Sequence, residues 1–231
     1  MVDDYDVEFS APSDSETLYP TPLDSPRDDH LHTHNHGEHI VQFYDTQDYL
    51  LNVLTNFIVP ILSSKDAVVV IAVKDRLEAL EVRLRNRGVV VEEKQRKGQL
   101  SLIDAREMLD QLSTFDDRTP ISIEPIDSLL LQLDNKFANL YVYGELVNLL
   151  CEQGNHTSAV ALEEIWNGLM KRHNFTLLCG YDMNNFKDEH LQLAFEEVCR
   201  NHSRVSPAEG CSSFQHTNDQ GKPFVFRTKS R

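Results

Sequence analysis

The sequence lacks a phosphate loop at the one turn where a nucleotide-binding α/β domain would carry it. His39 to Tyr44 reads as a strand and Asp48 to Ser63 as an amphipathic helix, so the turn between them is Asp45-Thr46-Gln47. Phosphate at such a turn is cradled by the backbone N–H groups of a glycine-rich loop and by a lysine. This turn has neither, and the carboxylates of Asp45 and Asp48 repel phosphate. The usual mode of ATP binding is thereby excluded, which favours sensing or binding over hydrolysis.

Other absences narrow the function further. No apolar run approaches the ~18–20 residues of a membrane span, and Met1-Val-Asp-Asp-Tyr5 does not open like a signal peptide. We therefore expect a cytoplasmic protein with no membrane partner. Cysteine is scarce: Cys151, Cys179, Cys199 and Cys211 show no CxxC spacing, and three of the four lie in apolar runs. Buried free thiols in a reducing compartment are the expectation. There is no GxSxG elbow, no GxGxxG and no local catalytic signature around a cysteine. No enzyme activity and no cofactor are expected.

Positive charge is also in short supply. The formal net charge is −15; residues 1–29 hold nine acids against Arg27 alone, residues 206–231 carry +2, and the centre keeps about −9. An acidic body repels the phosphate backbone of nucleic acid, so nucleic acid is excluded as a partner. Proteins and a neutral or cationic small molecule remain.

The chain falls into three zones. Residues 1–37 are rich in Asp, Ser, Pro and His, with few aliphatics, and cannot offset the entropy of ordering. They read as a disordered acidic, His-rich tail. His30, His32, His34 and His36 alternate there and, in an extended chain, present imidazoles suited to Zn²⁺, Ni²⁺ or Cu²⁺. Without a rigid shell around them no metal centre is expected. Residues 38–205 are patterned as a globular domain, and 206–231 form a polar C-terminal tail in which Pro223-Phe-Val-Phe226 can dock as an extended segment.

Within the globular zone, strands and helices alternate. Leu50, Leu54, Phe57, Ile58 and Ile61 stripe the first helix. Ala67 to Val73 is a continuous β-branched run, the mark of a strand covered on both faces. Leu77, Leu80 and Leu84 stripe a helix closed by Gly88. Leu100–Ile103, Leu140–Tyr143 and Phe175–Cys179 are further strands. Helices are marked by Ala105 to Leu112, by Ile126/Leu129/Leu130/Leu133 and by Leu146/Leu149/Leu150, this last ended by Gly154-Asn155. Two more follow, marked by Leu162/Ile165/Trp166/Leu169 and by Leu191/Ala194/Phe195/Val198. The pattern predicts an α/β three-layer domain, a mainly parallel five-strand sheet with helices on both faces. Ligands of such sheets sit beyond the carboxyl ends of the strands. Those ends offer Tyr44 and Asp45, Lys74 and Asp75, Asp104 and Arg106, Gly144 and Glu145, and Tyr181 with Asp182.

Several segments, in order, carry a family resemblance. They are His39 with Phe43-Tyr44, Leu100-Ser-Leu-Ile-Asp-Ala-Arg-Glu107, Tyr143-Gly-Glu145, Leu162-Glu-Glu-Ile-Trp-Asn167 and Leu177-Leu-Cys-Gly-Tyr181. Together they resemble the MEDS domain, the methanogen/methylotroph sensory domain, over about 38–205. The resemblance implies a derivative of the RecA/circadian-clock ATPase fold without nucleotide-binding motifs. It also implies sensing of a small molecule such as a hydrocarbon derivative. Members are commonly joined to histidine kinases or DNA-binding domains, and this chain has no room for either, so its partner would be a separate protein such as a signalling kinase or regulator.

Placed on this scaffold, the ligand-binding candidates are His39, Tyr44, Asp45, Asp104, Arg106, Tyr143, Glu145, Glu163, Trp166, Asn167 and Tyr181. Glu163 and Asn167 stand four residues apart, at one edge of a helix face. Trp166 is read either as core or as a ligand-facing ring, and Tyr44 as a ring filling the space a nucleotide would take. Two functions follow: a small-molecule sensor that relays binding to a partner protein, or a non-catalytic scaffold on a degenerate ATPase fold.

Overall fold

A computed structural model describes residues 37–112, 122–186, 192–209, 215–217 and 223–225. The tail with its alternating histidines, the loop around Pro120, Leu191, Cys211 and Phe226 lie outside the described residues.

The elements follow the apolar patterning. Strand β1 (His39–Tyr44) leads into helix α1 (Gln47–Ser63), and β2 (Ala67–Ala72) into α2 (Lys74–Asn86) and a short α3 (Val91–Arg96). Strand β3 (Leu100–Asp104) is followed by α4 (Ala105–Leu112) and α5 (Glu124–Asp134), and β4 (Leu140–Gly144) by α6 (Leu146–Glu152) and α7 (His156–Arg172). Then come β5 (Phe175–Asp182), a 3₁₀ turn at Met183–Phe186, α8 (Gln192–Asn201) and β6 (Arg204–Ser206). A separate antiparallel hairpin pairs β7 (Gln215–Thr217) with β8 (Pro223–Val225).

Six strands form one parallel sheet in the order β3-β2-β4-β5-β1-β6. The expected count of five is corrected by β6. Its three residues include a single aliphatic, too few to show a pattern, yet they pair with Ile40, Val41 and Gln42 of β1. The folded part also runs past residue 205. Pro207 accepts hydrogen bonds at its carbonyl from Gln42 Nε2 (3.0 Å) and the Tyr49 hydroxyl (3.4 Å), and Ala208 is buried.

Alternation along the strands divides the core into two layers. Ile40, Tyr44, Val68, Val70, Tyr141, Tyr143 and Leu178 pack with α1, α2 and α3. Val41, Phe43, Val69, Ile71, Val142, Leu177, Cys179 and Tyr181 pack with α4 to α8. Helix ends are closed locally. The Thr46 side chain accepts from the Tyr49 N–H at the start of α1, and Gly88 and Gly154 take positive φ after α2 and α6. No described helix is long and apolar enough to cross a membrane.

Candidate functional site

The strand order reverses between β2 and β4, since β2 leads outward to β3 while β4 leads the other way to β5. The crevice beyond their carboxyl ends is the usual ligand position of an open α/β sheet. Here it is filled by the chain's own side chains. Arg76, in the first turn of α2, forms an ion pair with Glu145 at the end of β4, and both are buried. Glu145 Oε1 accepts the N–H of Val73, and Oε2 accepts the Tyr143 hydroxyl at 3.3 Å. Arg76 Nη2 donates to the Tyr44 hydroxyl (3.2 Å) and to Gln47 Oε1 (2.7 Å), with its guanidinium 5.4 Å from the Tyr44 ring centre. Burial pushes the Tyr143 phenol up to about 12, with Arg76 opposing, and burial raises Tyr44 as well. The Tyr143 ring lies against the backbone of Gly180, where a Cβ would stand 3.0 Å from two ring carbons. Tyr44, Tyr143 and Glu145 are thus gathered at the expected place, but in a closed clamp.

A second polar cluster lies on the opposite side of the sheet, under α7 and α8. His39 opens β1, Cys179 and Tyr181 point from β5, Glu163 and Asn167 come from α7, and His202 follows α8. His39 Nε2 stands 3.2 Å from Glu163 Oε2 and 3.4 Å from Cys179 Sγ, and His202 Nε2 stands 3.6 Å from Glu163 Oε1. The Tyr181 hydroxyl donates to Glu163 Oε1 at 2.5 Å. Outward from the cluster, His39 Nδ1 donates to Asn167 Oδ1 (3.0 Å) and His202 Nδ1 to the Val198 carbonyl (2.6 Å). The two imidazole centres are 4.0 Å apart.

The electrostatics are set by Glu163, which is 1 % exposed. Burial alone would raise its carboxyl; His202, His39 and the Tyr181 hydroxyl outweigh it and hold the group at about 2. Burial and the facing Glu163 charge raise the Cys179 thiol and the Tyr181 phenol well above their ordinary values. A recess of about 270 Å³, its solvent-open part included, reaches this cluster from outside. Glu163 and Tyr181 line it together with Cys151, His156, Ala159, Val160, Phe186, Ala194, Val198 and Asn201.

The remaining candidates stand apart. Asp104 ends the edge strand β3, where its Oδ1 accepts the N–H groups of Arg106 (2.8 Å) and Glu107 (3.3 Å), the work of a helix cap. Arg106 is exposed. The Asp45 N–H donates to Glu209 Oε2 at 2.9 Å. Trp166 is fully buried, edge-on to Phe175 and behind Gly144. Sequence reasoning missed Arg76, Cys179 and His202. Cys179 sits in an apolar run, and His202 follows the last helix, far along the chain from His39 and Glu163; for Arg76, the placement of Lys74 and Asp75 at the end of β2 was the available hint.

Comparisons with known proteins agree with this architecture. The model of the family described as MEDS, MEthanogen/methylotroph, DcmR Sensory domain, matches residues 38–203. No curated protein matches. Among solved structures, the chain is similar to a Pyrococcus horikoshii OT3 protein from a structural study of Project ID PH0250. The TM-score is 0.53 at 12 % identity, covering 86 % of this chain and 96 % of that one. It is also similar to the uncharacterized protein PH0321 from Pyrococcus horikoshii, solved in complex with an unknown peptide. There the TM-score is 0.55 at 13 % identity, covering 87 % of this chain and 88 % of that one. At such identities the likeness is one of fold.

Proposed function

The chain belongs to the MEthanogen/methylotroph, DcmR Sensory domain family, and from that premise we propose that it binds a small molecule and relays the event to a separate partner protein. The observation that supports this reading is the recess ending on Glu163 and Tyr181, which joins an apolar lining to a few buried polar groups, as small-molecule sites do. Its unfilled space is close to that of a single water-sized group, far short of a nucleotide, so a small molecule such as a hydrocarbon derivative enters only as α7 and α8 move apart. Helices α7 and α8 wall the recess, so occupancy there shifts elements that end near the molecular surface, where a signalling kinase or regulator would read them. On this reading the protein is cytoplasmic and non-catalytic, on a RecA-like scaffold whose nucleotide crevice is closed by Arg76 and Glu145. PH0321, of similar fold, was obtained with a peptide bound, which lends a polypeptide partner some precedent.

The closed crevice also favours a second reading, a non-catalytic scaffold with no ligand. A thermal-shift screen of the full chain against ATP/Mg²⁺ and a panel of small chlorinated and oxygenated hydrocarbons separates the two, since preferential binding to the folded state raises the melting temperature. The sensor reading expects a rise with one chemical class, none with ATP, and loss of the rise in Val160→Trp, which fills the recess from its half-buried wall. Silence across the panel supports the scaffold, and an ATP-dependent rise contradicts both.

A further inference from the structure

We propose that His39, Glu163, Cys179 and His202 form a binding site for a divalent transition metal of the zinc class. One ligand atom from each of these four buried residues lies within 4.8 Å of every other. Zinc-to-ligand bonds of about 2.0–2.3 Å put tetrahedral ligand atoms roughly 3.3–3.8 Å apart. The separations of 3.2 Å from His39 Nε2 to Glu163 Oε2 and 3.4 Å from His39 Nε2 to Cys179 Sγ already stand close to those edges, and His202 Nε2 stands 3.6 Å from the other carboxylate oxygen.

The orientation of the imidazoles points the same way. Carbonyl oxygens can only accept, so Asn167 Oδ1 and the Val198 carbonyl fix the ring proton of each histidine on Nδ1 and turn Nε2 toward the Glu163 carboxylate. Metal-ligating histidines are held in this manner, by an outer hydrogen bond that sets tautomer and ring direction. Were both rings neutral, their Nε2 lone pairs would face carboxylate oxygens, acceptor against acceptor; a central cation removes that conflict. A proton on the His202 imidazole would relieve the conflict there, with the Cys179 S–H donating to His39 Nε2, and the loading test below separates the two. A metal ion uses all four groups. The Tyr181 hydroxyl, donating to Glu163 Oε1, then serves as an outer partner of the carboxylate.

Charge balance selects a dication. Two neutral imidazoles, one carboxylate and one thiolate carry −2, which a divalent ion cancels inside a site that would not tolerate net charge. On binding, the Cys179 S–H bond breaks, the sulfur–metal bond forms and the proton leaves to solvent, with no change of oxidation state. Glu163 also lines the recess, so of the four groups it is the one an entering ion would meet first. A sulfur and two imidazoles favour zinc, cobalt or iron over magnesium or calcium.

The test uses the full chain with His30, His32, His34 and His36 replaced by glutamine, so that the tail cannot answer for the core. Cobalt(II), added after chelation and removal of the chelator, should bind one equivalent. It should give a near-ultraviolet sulfur-to-cobalt band with visible bands of tetrahedral intensity, displaced by Zn²⁺ and not by Mg²⁺. Cys179→Ser should remove the near-ultraviolet band, and Glu163→Gln should weaken binding by more than about tenfold. His202→Cys keeps four ligands and, with a second thiolate, should about double the band. Absence of the band in the tail-substituted chain overturns the proposal. So does a band that is unchanged in Cys179→Ser or in His202→Cys. Because the probe is the metal alone, failure here leaves the small-molecule reading standing.

Discussion

Glu145 sits almost wholly out of solvent and answers three donors at once: the Arg76 guanidinium, the Val73 N–H and the Tyr143 hydroxyl. Removing one partner of such a pair leaves the other charge buried without compensation. Glu145→Ala should therefore cost about 3–5 kcal/mol in urea denaturation. Replacing both partners, as Arg76→Met with Glu145→Leu, should recover most of that loss. At this scale Tyr44, Tyr143 and Glu145 were legible because they end strands. Arg76 was not, because an arginine in the first turn of a helix ordinarily points to solvent, and only the packed crevice shows it turned inward. Glu163, Asn167 and Tyr181 were legible as members of ordered motifs. Their convergence with Cys179 and His202 was hidden, because those two come from an apolar strand and from the residue after α8.

Helix α7 connects the sites to the rest of the layer. Its Glu163 and Asn167 share an edge through four-residue spacing, as read from the sequence, and its C-terminal end is tied to α5. Arg172 Nη2 donates to Asp127 Oδ1 at 2.7 Å, and His173 bridges Asp127 (3.1 Å) and Asp134 (2.6 Å). Hydrogen bonding by Arg172, then by His173, holds the Asp127 carboxyl below its ordinary value. A carboxyl lowered on folding contributes stability above its unfolded pKa and loses it as pH falls through the folded value. The clamp should therefore weaken below about pH 4, and Asp127→Asn should lower stability slightly at neutral pH and flatten that part of an acid denaturation curve, since the variant has no carboxylate left to protonate. The long elements were legible at this scale because each shows several apolar residues at one period. The short α3 and β6 were not: six and three residues are too few to display a period, and β6 exists because β1 offers it an edge.

For the whole molecule, one sheet separates two buried polar centres. The sequence places His39, Tyr44, Glu145, Glu163 and Tyr181 in a single group of ligand-binding candidates, Glu163 on a helix and the others on or beside the strands. Strand alternation then sends Tyr44 and Tyr143 to the α1–α3 side, and His39, Cys179 and Tyr181 to the α4–α8 side. The first centre is closed by its own ion pair; the second is reached by the recess. On the proposed reading, sensing belongs to the side of the sheet away from the strand-end crevice. The decisive observation is an amide ¹H–¹⁵N NMR titration of the full chain with the first small molecule that raises its melting temperature. Perturbations concentrated at Ala159, Val160, Glu163, Tyr181, Ala194 and Val198 are the expected result. Perturbations concentrated instead at Gln47, Val73, Arg76 and Glu145 would place the ligand in the strand-end crevice and contradict this assignment.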